Sequence, residues 1–415
     1  MSTDQPAVAI VGSGIAGSAL AAALATAGVP VLLLERTEEF VDHVRGEYMH
    51  PWGVAEAIQL GLHGDLINAG GNVISRFVGY DEVYSQAEVE AGALPLADLV
   101  PGVPGALGIG HPTACQALFD AAVQAGAVGL RGVEQVRVTA GARPEVRYVH
   151  GGSEHEVRPR LVVAADGRES STRRQLGIEV EKTDPRIFLA GMLVDGVRDW
   201  PSTDSVIGTS GDTILYVFPQ GEDKARLYIG YSIEDKTRLA GADKANTLLE
   251  AFRVDTIPDC GRFVDASPAG PCAAYPMFDS WCDAIVADGV VFAGDAAGFS
   301  DPTIGEGLSV ALRDARMIRD ILLGGEDWSE YAFTPYVEER AERMRRLRFA
   351  VQVFTDAHIP LGPDGMSERR RRSDLMTQDP DLFMLVAAMT CGPELAPETC
   401  FTEQIREKLL TSTLR

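Results

Sequence analysis

The chain has 415 residues, with 37 Lys and Arg against 60 Asp and Glu, a formal charge of −23. A 46% hydrophobic and 23% charged composition excludes disorder, collagen-like repeats and a disulfide mini-scaffold, and the length predicts two to four domains at about 100–200 residues each. Such acidity argues against nucleic acid or an anionic membrane as partner.

In chain order, Ala7 to Val11 reads as a short buried strand, GSGIAG follows at 12 to 17, an Ala-rich helix runs to Ala27, and Val31 to Leu34 forms a second strand ending at Glu35. The apolar run from Ile15 to Leu34 is long enough to suggest a membrane span, but Gly17, Gly28 and Pro30 interrupt it where strand, turn and helix meet. A buried βαβ unit on a parallel sheet is the expectation, with no integral membrane span. GVAEAIQLGL after Pro51 reads as a short helix, 91 to 108 as a Pro/Gly-rich crossing, and Thr113 to Gly126 as another helix. VRVTA, VRYVH and the apolar LVVAA at 161 to 165 are expected to return to the first sheet. From Ile187 to Ile233 the period changes to two, predicting a separate antiparallel sheet. GVVFAG at 289 to 294 is a third parallel strand, followed by a Gly-rich turn and a helix from about Leu308 to Leu323. Beyond Trp328 the chain reads as helical and charged through Phe354, and RRRR at 369 to 372 reads as a solvated face.

Six cysteines, at 115, 260, 272, 282, 391 and 400, contain no CxxC, and the seven histidines form no HExxH or HxxxH cluster. No metal is expected, and reduced thiols without a basic leader predict a cytoplasmic location.

GSGIAG carries chemistry because of its context: strand before, helix after, and the acid Glu35 23 positions past Gly12. Gly12 permits the tight turn, Gly14 lets the backbone approach a diphosphate, and Gly17 lets helix and strand pack closely. Only one such fingerprint is present, which points to a single resident dinucleotide.

Together with AADGRESSTRRQLGI at 164 to 178 and AGDAAGFSDPTIGEGLSVALRDA at 293 to 315, this fingerprint resembles the FAD-dependent monooxygenases of the para-hydroxybenzoate hydroxylase type, with their halogenase and geranylgeranyl reductase relatives. The resemblance implies an α/β fold: a Rossmann-like FAD-binding domain (1–72, 108–182 and 281–325) with a three-layer, mainly parallel sheet, interrupted by an antiparallel-sheet substrate domain (73–107 and 183–280) and followed by a helical C-terminal region (326–415). It implies cofactor contacts from Gly12, Ser13, Gly14, Ile15, Ala16 and Gly17, from Glu35 and Arg36, and from Arg45 on the diphosphate. Asp166 and Gly167 would lie near the diphosphate, with Ser170 and Arg173 supporting their loop. Gly294 and Asp295 would face the ribityl chain, Pro302 the flavin ring, and Gly305, Gly307 and Leu308 the pyrimidine edge. Cys115 stands where many relatives place an FAD-contacting Arg, so that contact would pass to Gln116. Gly298 replaces a usual His, and Ser309 a frequent Asn; both lean toward the halogenase and prenyl-reductase branches.

The expected reaction is NAD(P)H-dependent oxygenation of a small aromatic or polyketide-like molecule: NADH or NADPH visits transiently, O2 adds to reduced flavin at C4a, and the hydroperoxide oxygen passes to the substrate. Candidates beside flavin and substrate are His50, Tyr216, Phe218 and Pro302, with Tyr48, Trp52, Tyr228 and Tyr231 as further walls; alternation puts Tyr216 and Phe218 on one sheet face. A lone His beside aromatics is more often structural, which disfavours His50 as a base. No lysine precedes Lys182 and no WxWxIP is present, which argues against halogenation. A geranylgeranyl-reductase-like reduction of an isoprenoid double bond and a non-catalytic FAD-binding protein stay open, as do monomer and homodimer.

Overall fold

The computed structural model describes residues 6–411. Its first layer is a six-stranded sheet in the order 286–287, 290–292, 161–164, 8–11, 31–34, 128–130, parallel except at the 286–287 edge. The strands Val8–Val11, Val31–Leu34 and Leu161–Ala164 are buried at every position. Continuous apolar runs of this kind follow from a parallel sheet covered on both faces. Helix Ile15–Thr26 is rich in alanine, which lets it press against helices His111–Gln124 and Gly307–Gly324 within one core.

One expectation for this region changes. Only 161–164 returns to the parallel sheet; Glu134–Thr139, Glu145–His150 and Ser153–Val157 make their own three-stranded antiparallel sheet. The sixth strand is Val128–Leu130, three residues and too short to show a period.

The second layer is an eight-stranded sheet built mainly from Ile187–Asp195, Asp204–Ser210, Thr213–Gly221 and Lys224–Ser232. Arg76–Asp81 joins it parallel to 204–210, so a segment from before the second motif completes a sheet made after it. Period-two alternation splits the residues between faces. Leu215, Val217, Leu227, Ile229 and Tyr231 pack under helices Lys244–Glu250 and Gly261–Val264, while Ile214, Tyr216 and Tyr228 face the other way with Leu189 and Met277.

The C-terminal region is helical, with Thr334–His358, Met366–Gln378, Pro380–Cys391 and Glu403–Thr411 sharing a core. The arginine run is not uniformly solvated. Arg369 is fully buried, its Nε 3.0 Å from Asp81 and its Nη2 2.6 Å from Glu82, because it lies one turn pair before Met376 on the packed face of its helix. It ties the C-terminal helices to the end of strand 76–81. No helix among the described residues is long and apolar enough to cross a membrane.

Candidate active site

One cavity of about 770 Å3 is lined by all three motifs and by the inner face of the large sheet. Gly12, Gly14, Ile15, Ala16, Glu35 and Arg36 form part of its wall. The turn is tight because Gly12 has φ +98° and a Cβ there would stand 2.4 Å from the Ala165 carbonyl oxygen. A Cβ on Gly17 would lie 2.0 Å from the Gly12 oxygen, so helix and turn touch through backbone alone. Helix 15–26 therefore begins at the cavity, with Gly14 as N-cap, no side-chain cap and no acid in its first turn. Uncapped N–H groups and the positive end of the helix dipole suit a phosphate. Ser13 and Gly17 stand behind the wall. The Ser13 N–H and hydroxyl donate to Glu35 Oε2 at 2.9 and 3.0 Å, tying the turn to the end of the second strand.

The second motif supplies Asp166, Gly167 and Arg168 to the wall. The Asp166 carboxylate is turned toward its own helix, accepting from Ser170 Oγ at 2.5 Å and Thr172 N at 2.9 Å. Arg173 donates to the Ala296 and Arg168 carbonyls, each at 2.8 Å, and so joins the second motif to the third. The third motif contributes Gly294, Asp295, Pro302, Gly305, Gly307 and Leu308. Asp295 accepts from Arg168 at 3.1 Å. Gly298 has φ +101°, and a Cβ there would meet the Ser280 oxygen at 2.6 Å, which explains why this chain carries no His at that position.

Arg45 lines the cavity, and burial, then Arg168, lowers its pKa. Together with Arg168 and the helix end it provides positive charge where a diphosphate would lie. The donor set, the bare glycine turn and the extended cavity fit an FAD dinucleotide.

Tyr48, Tyr216, Phe218, Tyr228 and Tyr275 wall the sheet side of the same cavity. The Phe218 ring is 4.8 Å from Tyr48 and 6.2 Å from Tyr216. Tyr231, expected here, sits three residues from Tyr228 and hence on the opposite face, in the core under helix 244–250. Trp52 is also withdrawn: its Nε1 donates to Glu306 Oε2 at 3.0 Å and to the Met389 carbonyl at 3.2 Å. His50 stands off the wall, with Nε2 2.5 Å from the Ile304 carbonyl. A carbonyl only accepts, so Nε2 carries the proton, and burial takes the pKa down to about 4. That ring is neutral and is not among the residues that line the cavity. Gln116 likewise lies off the wall, donating to Asp120 at 2.7 Å and accepting from Arg131 at 2.8 Å, while Cys115 is packed against His111.

Among the wall residues that the sequence does not single out are His111, Arg168 and Tyr275, and one support, Arg340, is likewise not legible there. Arg340, on the first C-terminal helix, donates to the carbonyls of Gly294, Ala297 and Gly298 at 3.1, 3.0 and 2.8 Å. It thereby holds the third motif's turn from behind.

A family model described as an FAD binding domain matches residues 5–347, most of the chain. The chain belongs to this FAD-binding family. It is an FAD-dependent oxidoreductase of the flavoprotein monooxygenase group. The digeranylgeranylglycerophospholipid reductase of Methanoculleus marisnigri is 27% identical over 356 residues, 81% of this chain and 82% of that protein. Squalene monooxygenase of Mus musculus is 25% identical over 77% of this chain, which spans 55% of the mouse protein. Among solved structures, a variant of HpxO from Klebsiella pneumoniae, complexed with FAD, superposes with a TM-score of 0.73 at 18% identity, covering 95% of this chain and all of that one, 100%. At that identity the likeness speaks for the fold of the flavoprotein and not for its substrate.

Proposed function

We propose that this flavoprotein is an NAD(P)H-consuming monooxygenase that oxygenates a small aromatic or polyketide-like molecule. The observation that carries this reading is the continuity of one cavity between the glycine turn and a chamber walled by Tyr48, Tyr216, Phe218, Tyr228 and Tyr275. Bound FAD supplies hydride acceptance and the activation of O2. The chain supplies position and dryness. Ring faces on the sheet side stack a planar substrate, and the buried Tyr48, Tyr216 and Tyr228 exclude the water that would discharge activated oxygen unproductively. In this reading 1–72, 108–182 and 281–325 hold the cofactor, 73–107 and 183–280 the substrate, and 326–415 brace the third motif. The cofactor contacts are the wall residues of the three motifs, with Pro302 against the ring. No lysine lines the cavity among the described residues, which supports the argument against halogenation.

The reading is tested by screening phenolic and polyketide compounds for faster NAD(P)H oxidation with matched O2 uptake, and by weighing the product for one added oxygen. A second reading, reduction of an isoprenoid double bond, is favoured by the Methanoculleus marisnigri relative. Anaerobic turnover that adds two hydrogens to a prenyl chain would establish it instead.

Asp295→Ala is expected to fold normally yet purify nearly colourless. The side chain is 31% exposed at the cavity, so truncation leaves no packing defect, while a lost hydrogen bond from a ribityl hydroxyl to a charged acceptor weakens flavin binding by roughly 10-fold or more. The ratio of visible to ultraviolet absorbance measures it; full occupancy would remove Asp295 from the cofactor site.

A further inference from the structure

Glu47 is only 2% exposed, and it lines the cavity. Its Oε2 accepts a short hydrogen bond from the Tyr228 hydroxyl. Its Oε1 lies 3.2 Å from Arg226 Nη2, which is closer still to Asp42, at 2.6 Å. One guanidinium thus faces two acids, and it cannot neutralise both. The charged and titratable groups facing Glu47 are Asp42 and Arg45 from its own segment, Arg226 and Tyr228 from strand 224–232, and Tyr275 from strand 273–276. Burial outweighs the pull of Arg226 and the Tyr228 bond, and takes the carboxyl up to about 7.

A second observation is independent of this cluster. The Tyr216 hydroxyl, on a residue 3% exposed, has no hydrogen-bond partner, and Tyr216 lines the same chamber. Glu47 Oε1 also lacks a hydrogen bond of good geometry. Buried polar atoms are ordinarily paired. Two such atoms on one aromatic wall mark where a ligand's polar groups go.

We propose that Glu47, held by Tyr228, determines specificity in the chamber: it accepts a hydrogen bond from a hydroxyl or amine on the substrate's ring system and turns away substrates that present a carboxylate. Arg226 does not line the cavity, and its Nη2 is shared between Asp42 and Glu47, so it does not meet an anion bound there. Arg45 faces Glu47 as well as Asp295, but it and Arg168 are the cations that the reading above gives to the cofactor's diphosphate, which leaves neither for a substrate carboxylate. Tyr216 adds a second polar contact on the same strand face as Phe218. This inference rests on the aromatic-substrate reading above.

The test uses FAD-loaded protein and three matched probes, naphthylmethylamine, naphthylmethanol and naphthoate, titrated by their perturbation of the flavin spectrum. Between about pH 5.5 and 8.5 each probe keeps one charge state, so any pH dependence belongs to the protein. The amine is expected to bind most tightly and the carboxylate about 10- to 100-fold more weakly, the span of a charge-assisted hydrogen bond gained or a buried like charge met. Amine affinity should rise as pH passes about 7, because the accepting carboxylate forms there. In Glu47→Gln, which keeps shape and a Tyr228 acceptor, both the discrimination and the pH step should disappear while flavin occupancy stays unchanged. Tyr228→Phe should shift the step without abolishing the discrimination. Naphthoate binding as tightly as the amine, or an unchanged ranking in Glu47→Gln, overturns the assignment of Glu47 alone. No spectral response to any of the three overturns the aromatic-chamber reading itself.

Discussion

Asp314→Asn is expected to cost about 3–5 kcal/mol of stability, the range for removing one partner from a fully buried ion cluster. Asp314 is fully buried, as are its partners to within a few per cent, Arg340 at 4% and Arg343 at 3% exposure. Its Oδ2 accepts from Arg340 Nε at 3.0 Å and from the Gly294 N–H at 2.8 Å, and its Oδ1 from Arg343 Nη2 at 2.6 Å. Asparagine fills the same volume, so no cavity contributes; what remains is Arg340 with only backbone carbonyls around it, and Arg343 with Glu339 as its one carboxylate. Burial pushes the Asp314 pKa up, but the two arginines override it and hold it below the ordinary carboxylate value. A folded pKa below the unfolded one means the contribution is complete above about pH 4, the unfolded value, and is lost as pH falls through the folded one. Urea unfolding at neutral pH measures the loss. A loss below about 1 kcal/mol would show that water reaches the cluster. Because Arg340 also grips the 294–298 turn, the variant should shed flavin before it unfolds.

That cluster shows what was legible in the sequence and what was not. Glycine turns announce themselves locally: Gly12, Gly14 and Gly17 sit between a strand and a helix, and the closest contacts they make are within a few residues or to one neighbouring strand. The Arg340 contact is a distance of more than forty residues along the chain, and the run that carries it, ERAERMRRLR at 339 to 348, reads only as a charged helix. The signal was in the spacing. Tyr336, Arg340, Arg343, Leu347 and Ala350 recur at steps of four, three, four and three, and all five are buried. Arginines in phase with a core stripe are core arginines, and a buried acid must answer them. Asp314 does so from helix 307–324, in phase with Ala311, Ala315 and Ile318. Arg369 follows the same logic with Met376. The sheet assignments failed for a different reason: 134–157 alternates as any antiparallel pair does, and nothing in alternation names the partner. His50, Trp52 and Gln116 lie close in sequence to cavity residues, but a helical or strand step turns each away from it, whereas Glu47 is turned in.

Gly17→Ala and Gly14→Ala are expected to part company, and the contrast tests the phosphate turn. At Gly17 the added methyl meets the Gly12 carbonyl oxygen at 2.0 Å and Ala165 Cβ at 3.2 Å. The nearer atom is backbone, and it is fixed by a Gly12 conformation that itself depends on contact with Ala165. Overpacking in such a site costs about 1–3 kcal/mol and more when no side chain can yield, so Gly17→Ala should lose stability and purify without flavin together. Gly14 has an ordinary φ of −67° and nothing within 4 Å of its Cβ position. Gly14→Ala should therefore unfold at the same urea concentration as the parent protein. Gly14 also lines the cavity, so its new methyl occupies the space between the helix N-terminus and a diphosphate. Separating phosphate oxygens from two or three backbone donors weakens FAD by roughly 10- to 100-fold, at about 1 ± 0.5 kcal/mol for each hydrogen bond disturbed. Fluorescence of released flavin on dilution gives the affinity, and circular dichroism in urea the stability. If Gly14→Ala retained its flavin in full, the first turn would not approach the cofactor's phosphates, and the cavity's glycine end would serve packing alone.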